Sequence, residues 1–410
     1  MKRVAVIGAG FIGMASAAWL MRDGHRVTLF DPTGVAQGAS YGNAGTFAPY
    51  ACIPVNNPSV FGSLPRFLLS SDSPLRLRWG YLPMLAPWLA RFLRNSLPQR
   101  YEHSVRALAA LLGQAQAGYE PLLAAPALAQ FVRPRECLYL YSSAASFQAA
   151  EPSLALRRAL GVPFDVLDTA GIRQLEPNLA PIFERGVLFS GSWHFSNPSG
   201  FLQALFEHLA PQGLTLERQT VRAISPNSAG ATLHLEGEGV REFDHVVVAA
   251  GARSATFAKQ CGNAVPLDTE RGYHIRYSGA ADLISRPVGW AERGFYMTPM
   301  QDGIRVAGTV ELGGFSPEHN RALLNLLTVA SRCALPNLQQ PDSSWLGFRP
   351  TLPDGLPVLG HARASKHVVY AFGHQHLGLT LAGISGRIVA DLIAGRPSAL
   401  ELTPYRPTRF

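Results

Sequence analysis

Apolar positions near the N-terminus of this chain do not alternate; they run together. Residues 4–7, Val-Ala-Val-Ile, form a continuous apolar stretch, the pattern of a strand buried on both faces. Glycines follow. Residues 14–22 then carry apolar side chains at helical spacing, and Gly24 supplies a stop. A second strand, Arg26–Phe30, ends at Asp31, so the chain opens on a βαβ unit.

Between residues 59 and 103 the pattern changes, because Pro65, Pro74, Pro83, Pro87 and Pro98 break up segments rich in Leu, Trp and Arg. A helix is predicted over 105–123, and strands over Cys137–Tyr141 and 186–189. The turn Asn197-Pro198-Ser199-Gly200 leads into a helix over 201–209. Strand patterns recur at Thr215–Glu217, 232–235, 246–250, 273–277, 295–299, 304–309 and 368–372, and a helix over 383–393 closes the chain. No internal repeat is evident.

Composition narrows the class of protein. The 410 residues exceed the usual size of a single core, so two interleaved domains are expected, and 47% hydrophobic with 16% charged residues is ordinary for a folded protein. Lys2 and Arg3 before an apolar run imitate a signal peptide, but the glycines and Arg22-Asp23 suit a buried strand and helix. No uninterrupted apolar run reaches the roughly 20 residues that span a bilayer.

The net charge is +8, and its basic residues are scattered, without the clusters or zinc-finger spacing of a nucleic-acid binder. An anionic small substrate or an anionic lipid surface is the better match. The cysteines, Cys52, Cys137, Cys261 and Cys333, form no CxxC pair, which speaks against metal and redox motifs and for reduced thiols in a cytoplasmic setting.

The chemistry begins at Gly8-Ala9-Gly10-Phe11-Ile12-Gly13, a GxGxxG run between a strand and a helix. Gly8 permits the tight turn, Gly10 close approach of backbone to a pyrophosphate, and Gly13 close packing of helix on strand. The helix N-terminus favours the phosphates. Asp31 suits a ribose and would repel an additional 2′-phosphate, against NADP. This motif alone leaves FAD and NAD open. Three later segments favour FAD: the small-residue loop from Gly38 through Ser40, Asn43, Ala44 and Gly45; the apolar strand that ends at Gly251; and Gly373-His374-Gln375-His376-Leu377-Gly378-Leu379-Thr380, which opens a second helix. A helix N-terminus suits the negative charge of a reduced flavin.

The order of these elements resembles the glycine oxidase, sarcosine oxidase and D-amino-acid oxidase superfamily, and most nearly the small-subunit type of bacterial D-amino-acid dehydrogenase. The likeness is most specific in the N-terminal fingerprint, at Ser40 to Gly45, in the Arg349-Pro350-Thr351-Leu352-Pro353-Asp354-Gly355-Leu356-Pro357 stretch, and from Gly373. It implies an α/β protein (α+β as a whole) in which a Rossmann-like FAD domain, residues 1–62, 190–262 and 345–410, interleaves with a mixed-sheet substrate domain, residues 63–189 and 263–344. It further implies that the backbone near Val221 meets the adenine, that Arg349 grips a substrate carboxylate, that Tyr296 assists, and that Tyr273 lines the pocket. An arginine fork with a tyrosine hydroxyl is chemically apt for a carboxylate.

His374 is expected as a structural contact at the flavin, whereas His376 has no assigned place. An amine that arrives neutral needs no general base, because the main task is to hold the α-carbon at the flavin. The segment around Arg349 has no cysteine, so the FAD is expected to be noncovalent.

The activity implied is dehydrogenation of D-amino or cyclic D-imino acids, D-proline and hydroxy-D-proline among them, with a quinone or other respiratory acceptor. An oxidase of glycine- or sarcosine-like amines, a 2-hydroxy-acid dehydrogenase and a non-catalytic flavin electron-transfer subunit are the alternatives. Trp79, Tyr81, Trp88 and Phe92 interleave with Arg76, Arg78, Arg91 and Arg94, a composition suited to peripheral contact with the inner face of a bacterial membrane.

Overall fold

Strand Arg3–Ile7 pairs in parallel with Arg26–Phe30 on one side and with His245–Val248 on the other. Its apolar run is explained by that central position, since Val4, Ala5 and Val6 are fully buried. The computed structural model describes residues 1–59, 61–62 and 75–410; Pro65 and Pro74 lie outside them. Thr215–Glu217 extends the sheet beyond Arg26–Phe30, Ser365–Phe372 extends it beyond His245–Val248, and antiparallel Val358–Ala362 closes the edge. Segments from the beginning, middle and end of the chain thus build one sheet. A separate meander, Val221–Pro226, Ala231–Leu235 and Val240–Phe243, packs beside it through Phe30 and Phe243.

Two helices from opposite chain ends cover one face. Phe11–Arg22 lies against Gly378–Ala394, and a Cβ on Gly386 would sit 2.6 Å from the Ala15 carbonyl oxygen. Residues 375–394 are long and apolar enough to cross a membrane by length and composition, but 67% of that window is buried inside the protein. They form a core helix.

The second layer is a nine-stranded mixed sheet. Its central strands run Ser343–Thr351, Asp268–Ser278, Gly303–Leu312, Phe295–Met300 and Val288–Trp290, then Cys137–Tyr141, Arg185–Phe189 and Phe164–Asp168. Cross-strand partners share a side. Tyr273, Ile275, Tyr277, Phe295, Met297, Ile304 and Val306 face the amphipathic helix Arg321–Ala334, which covers them with Leu323, Leu327, Ala330 and Ala334. The opposite face carries Arg349, Gly347 and Trp345, then Glu270, Gly272 and His274, then Ala307 and Tyr296. That face is turned toward the first sheet: Arg305 Nη1 donates to the Tyr41 and Asn43 carbonyls, and His274 Nδ1 lies 3.2 Å from the Gly42 carbonyl oxygen.

The structure differs from the reading of the sequence in its helix bounds and domain limits. The helix expected at 105–123 starts earlier, at Pro98, whose missing N–H is harmless in a first turn, and is divided into Pro98–Gly113 and Ala115–Tyr119 with a short 3₁₀ turn after them. This segment was assigned to the substrate domain, yet it packs on the dinucleotide-type layer. Val132–Arg133 likewise joins a small sheet with Thr46–Phe47 and Trp193–Phe195. The boundary at 345 falls inside strand Ser343–Thr351.

Gly118 and Gly383 explain the first of these placements. A Cβ on Gly383 would lie 2.5 Å from the Gly118 carbonyl, and one on Gly118 would overlap the Ile384 amide. Tyr119 Oη then donates to the Leu379 carbonyl at 2.5 Å. Gly118→Val should therefore push the helices apart and cost about 1–3 kcal/mol or more, read as a lowered urea midpoint with an unchanged m-value. An unchanged midpoint would show that the contact is slack.

Candidate active site

The parallel strands all end at one edge, the side on which open α/β sheets bind ligands. After Ile7 comes Gly8, at φ 105°, where a side chain would overlap the Ala249 carbonyl. A Cβ on Gly13 would overlap the Gly8 carbonyl, which is why helix and strand approach so closely. Helix Phe11–Arg22 has no acidic residue in its first turn, and its N-cap, Gly10, offers no side chain. Its positive end is left to a ligand, apart from Ser40 Oγ, which accepts from the Phe11 amide at 3.0 Å. Ile12 is half-buried beside it.

Asp31 follows the second strand. One carboxylate oxygen accepts from the Ala9 amide at 3.0 Å, and the other accepts from Thr33 and Gly34. The first of these keeps lone-pair capacity for a ribose. Gly251, at φ 55°, follows the strand His245–Val248. Val221 begins the meander just after Thr215–Glu217, near Phe30 in the same core cluster. Asn43 Oδ1 accepts from the Gly45 amide at 2.8 Å, so this side chain shapes its own loop through Ala44. Gly45, at φ 77°, has Met300 and the Phe195 carbonyl where a Cβ would stand.

Gly373, at φ 83°, ends strand Ser365–Phe372 and starts the turn into the last helix. His374 is buried, with Nε2 2.8 Å from Ser385 Oγ, and burial pushes its pKa down to about 3. It is a neutral structural group. Leu377, Gly378, Leu379 and Thr380 form the opening turn of the helix, and Thr380 Oγ1 accepts from the Ala48 amide at 3.0 Å.

On the facing sheet, Arg349 folds over Gly272, where any side chain would overlap its guanidinium. Its Nη1 donates to the Thr309 carbonyl at 3.0 Å, and Thr309 itself is held in the left-handed region at φ 60°. A β-branched residue there costs on the order of 1–3 kcal/mol and marks a place where position matters. Tyr296 lies on the same face. Its ring is 5.6 Å from that of Tyr139, and its hydroxyl groups with those of Tyr50 and Tyr139. Burial first, then the proximity of Tyr139 and Cys137, raises its pKa well above the ordinary value, which keeps it a neutral hydrogen-bond donor.

Tyr273 does not line this site. A strand alternates, so it projects to the opposite face, where its hydroxyl donates to Glu311 at 2.6 Å within a buried cluster with Arg271 and Asn320. Sequence reading also passed over Gly272, Thr309, Trp345, His274, Arg305 and Glu270. Trp345 stacks on His274 at 5.2 Å and leaves no room for a side chain at Gly42 or Gly347. Glu270 is the partner that His376 lacked: its Oε2 lies 2.8 Å from His376 Nε2. The Arg271-Gly272-Tyr273 triplet was the available signal, because a glycine inside a strand often marks a close approach.

Among the described residues, several buried polar atoms near these segments have no protein partner, including Thr46 Oγ1, Thr309 Oγ1 and His374 Nδ1. Buried orphans of this kind call for a ligand or water. Together with the glycine cradle and the uncapped helix they suit a flavin dinucleotide. Gly13→Val is expected to give a folded protein without the yellow cofactor, checked by the flavin absorbance that co-purifies and by circular dichroism. Full retention of flavin would remove the cradle from this role.

Comparison with known proteins agrees with this geometry. The model of the DAO family, FAD dependent oxidoreductase, matches residues 3–392. A D-amino-acid oxidase of Bradyrhizobium diazoefficiens is 34% identical over 100% of this chain and 99% of its own length. A D-amino acid dehydrogenase of Paramagnetospirillum magneticum is 30% identical, again covering 100% and 99%. The crystal structure of glycine oxidase from Geobacillus kaustophilus superposes with a TM-score of 0.79 at 23% identity, over the whole of both chains. This chain belongs to the DAO family of FAD-dependent oxidoreductases.

Proposed function

We propose that the protein oxidises D-amino acids, cyclic imino acids such as D-proline among them, to the imine, which water carries on to a 2-keto acid in the acyclic case. The observation that carries this reading is that Arg349 and Tyr296 share the sheet face from which Glu270 meets His376 of the Gly373–Thr380 turn. The names of the two sequence relatives support the D configuration. The flavin supplies the acceptor for the hydride on the α-carbon.

The chain's own residues bind and orient. Arg349 commits Nη1 to Thr309, and the rest of its fork serves a carboxylate through parallel charge-assisted bonds. Burial lowers its pKa while Glu270 opposes that shift, and arginine remains a cation. Tyr296, neutral, donates a further hydrogen bond. With the carboxylate held, rotation about the α-carbon is restricted, and the hydrogen to be removed is presented in one orientation.

Electrons pass to a quinone-type acceptor, and the protein works from the cytoplasm while peripheral on the inner face of the plasma membrane. Trp79, Met84 and Leu97 support this surface: they are 63%, 73% and 49% exposed, beside exposed Arg91 and Arg94. Leu85 and Trp88 of the same helix, Leu82–Asn95, point inward. Aromatics and arginines together suit an anionic headgroup region.

Anaerobic bleaching of the flavin tests the activity, with D- and L-amino acids, proline and hydroxyproline isomers, sarcosine, glycine and 2-hydroxy acids as the panel. D-amino or D-imino acids should bleach, and a soluble quinone should restore the colour faster than air does; a yellow protein that none of them bleaches would sink the reading. Arg349→Ala should keep its FAD and lose about 10²-fold or more in kcat/KM, with Arg349→Lys intermediate. For the surface, the protein should sediment with anionic phospholipid vesicles at low salt, and Trp79→Ser with Met84→Ser should release it. Wild-type protein that stays wholly in solution would exclude the membrane site.

A further inference from the structure

Glu270 stands between the two halves of the site. It is the cross-strand partner of Arg349 and is 4% exposed. Thr351 Oγ1 donates to its Oε1 at 3.0 Å, and His376 Nε2 lies 2.8 Å from its Oε2. Burial alone would raise the carboxyl's pKa, but His376, Arg349 and Thr351 outweigh burial and hold it below the ordinary value. It is a carboxylate.

His376 is built into its place. The preceding residue, Gln375, adopts φ 48°, a left-handed conformation that costs energy for a non-glycine, and its side chain pins the turn by donating to the Leu352 carbonyl at 2.9 Å. The imidazole is 36% exposed, whereas His374 on the same turn is buried and neutral. The groups facing the imidazole are Glu270 and, behind it, Arg349. Asp268, on the same strand face, is engaged by the Tyr81 hydroxyl at 3.2 Å. With the carboxylate 2.8 Å from Nε2, the other ring nitrogen, Nδ1, is the one left for a substrate.

We propose that His376, positioned by Glu270, takes the proton that an amino acid arriving as a zwitterion must lose before its α-carbon can release hydride. This rests on the amino-acid reading above. The ammonium N–H bond breaks, its electron pair stays on nitrogen, and the proton passes to His376 Nδ1, since Nε2 faces Glu270. Nothing is oxidised in this step. The freed pair then forms the C=N bond as hydride departs with its electrons to the flavin, and His376 returns its proton to solvent.

The test is stopped-flow reduction of the anaerobic holoenzyme, from about pH 6 to about pH 10, by whichever amino acid bleaches it. His376→Gln should retain FAD and be slower by about 10²-fold near pH 7, with the deficit shrinking to about threefold near pH 10, where the amine arrives already neutral. A deficit equal at every pH, or none near neutrality, overturns the proposal. An independent readout is Glu270→Gln in the same stopped-flow experiment. It should show the same deficit near pH 7, shrinking toward about pH 10, because the imidazole loses the carboxylate that positions it. A Glu270→Gln protein with the wild-type pH profile removes Glu270 from the dyad, and this measurement serves if His376→Gln fails to hold FAD. If no amino acid bleaches the wild type, the amino-acid reading itself falls; if one bleaches it with the same pH profile in both proteins, only the dyad falls.

Discussion

Helices Phe11–Arg22 and Gly378–Ala394 meet with almost no side chain between them, at Ala15 and Gly386, and a third helix, Ala115–Tyr119, seats on the second of them through Gly118 and Gly383. Contacts this close fix the helices along their axes, because a close-packed core leaves no slack to slide. The N-termini of the two long helices consequently open at the same sheet edge. One follows Gly8 and the other follows Gly373, so two positive helix ends are placed where an anionic cofactor lies. Loosening the helix contact would separate the two halves of the flavin site before any residue in contact with the cofactor changed.

The mixed sheet imposes a second constraint through its two unlike faces. The face under helix Arg321–Ala334 is largely apolar but holds the Arg271–Glu311–Tyr273 cluster, whose buried charges are paired and hydrogen-bonded. Unpaired, either charge would be strongly destabilising. The other face holds Arg349, Glu270, His274, Arg305 and Tyr296, a concentration of polar groups in which His274 and Arg305 reach the facing loop and Glu270 reaches His376. Arg305 meets the loop by gripping the Tyr41 and Asn43 carbonyls. The small-residue loop is thereby tied to the second sheet.

Much of this was legible in the sequence because it depended on local rules. The continuous apolar run at 4–7 announced a strand with two buried faces, and Gly8 and Gly13 announced a backbone approach that a Cβ would forbid. Asn197 before Pro198 announced a helix start, and its Oδ1 does accept from the Gly200 amide at 2.8 Å. Tyr273 was misassigned for a physical reason: which face of a strand is inward depends on register, and a bulge between Arg271 and Tyr273 lies at that point.

The sequence by itself determined the βαβ opening and the glycine cradle, since each follows from spacing within a few residues, and the FAD-dependent class followed from later segments and the resemblance they carry. Tertiary structure alone decided that residues 98–119 belong with the flavin layer, that Tyr273 faces away, and that His376 meets Glu270. Those outcomes depend on contacts between distant segments, Gly118 with Gly383 and Glu270 with His376. No local periodicity encodes such pairs, because a side chain's partner is set by how whole layers dock, and docking is governed by the summed packing of many residues rather than by the few that end in contact.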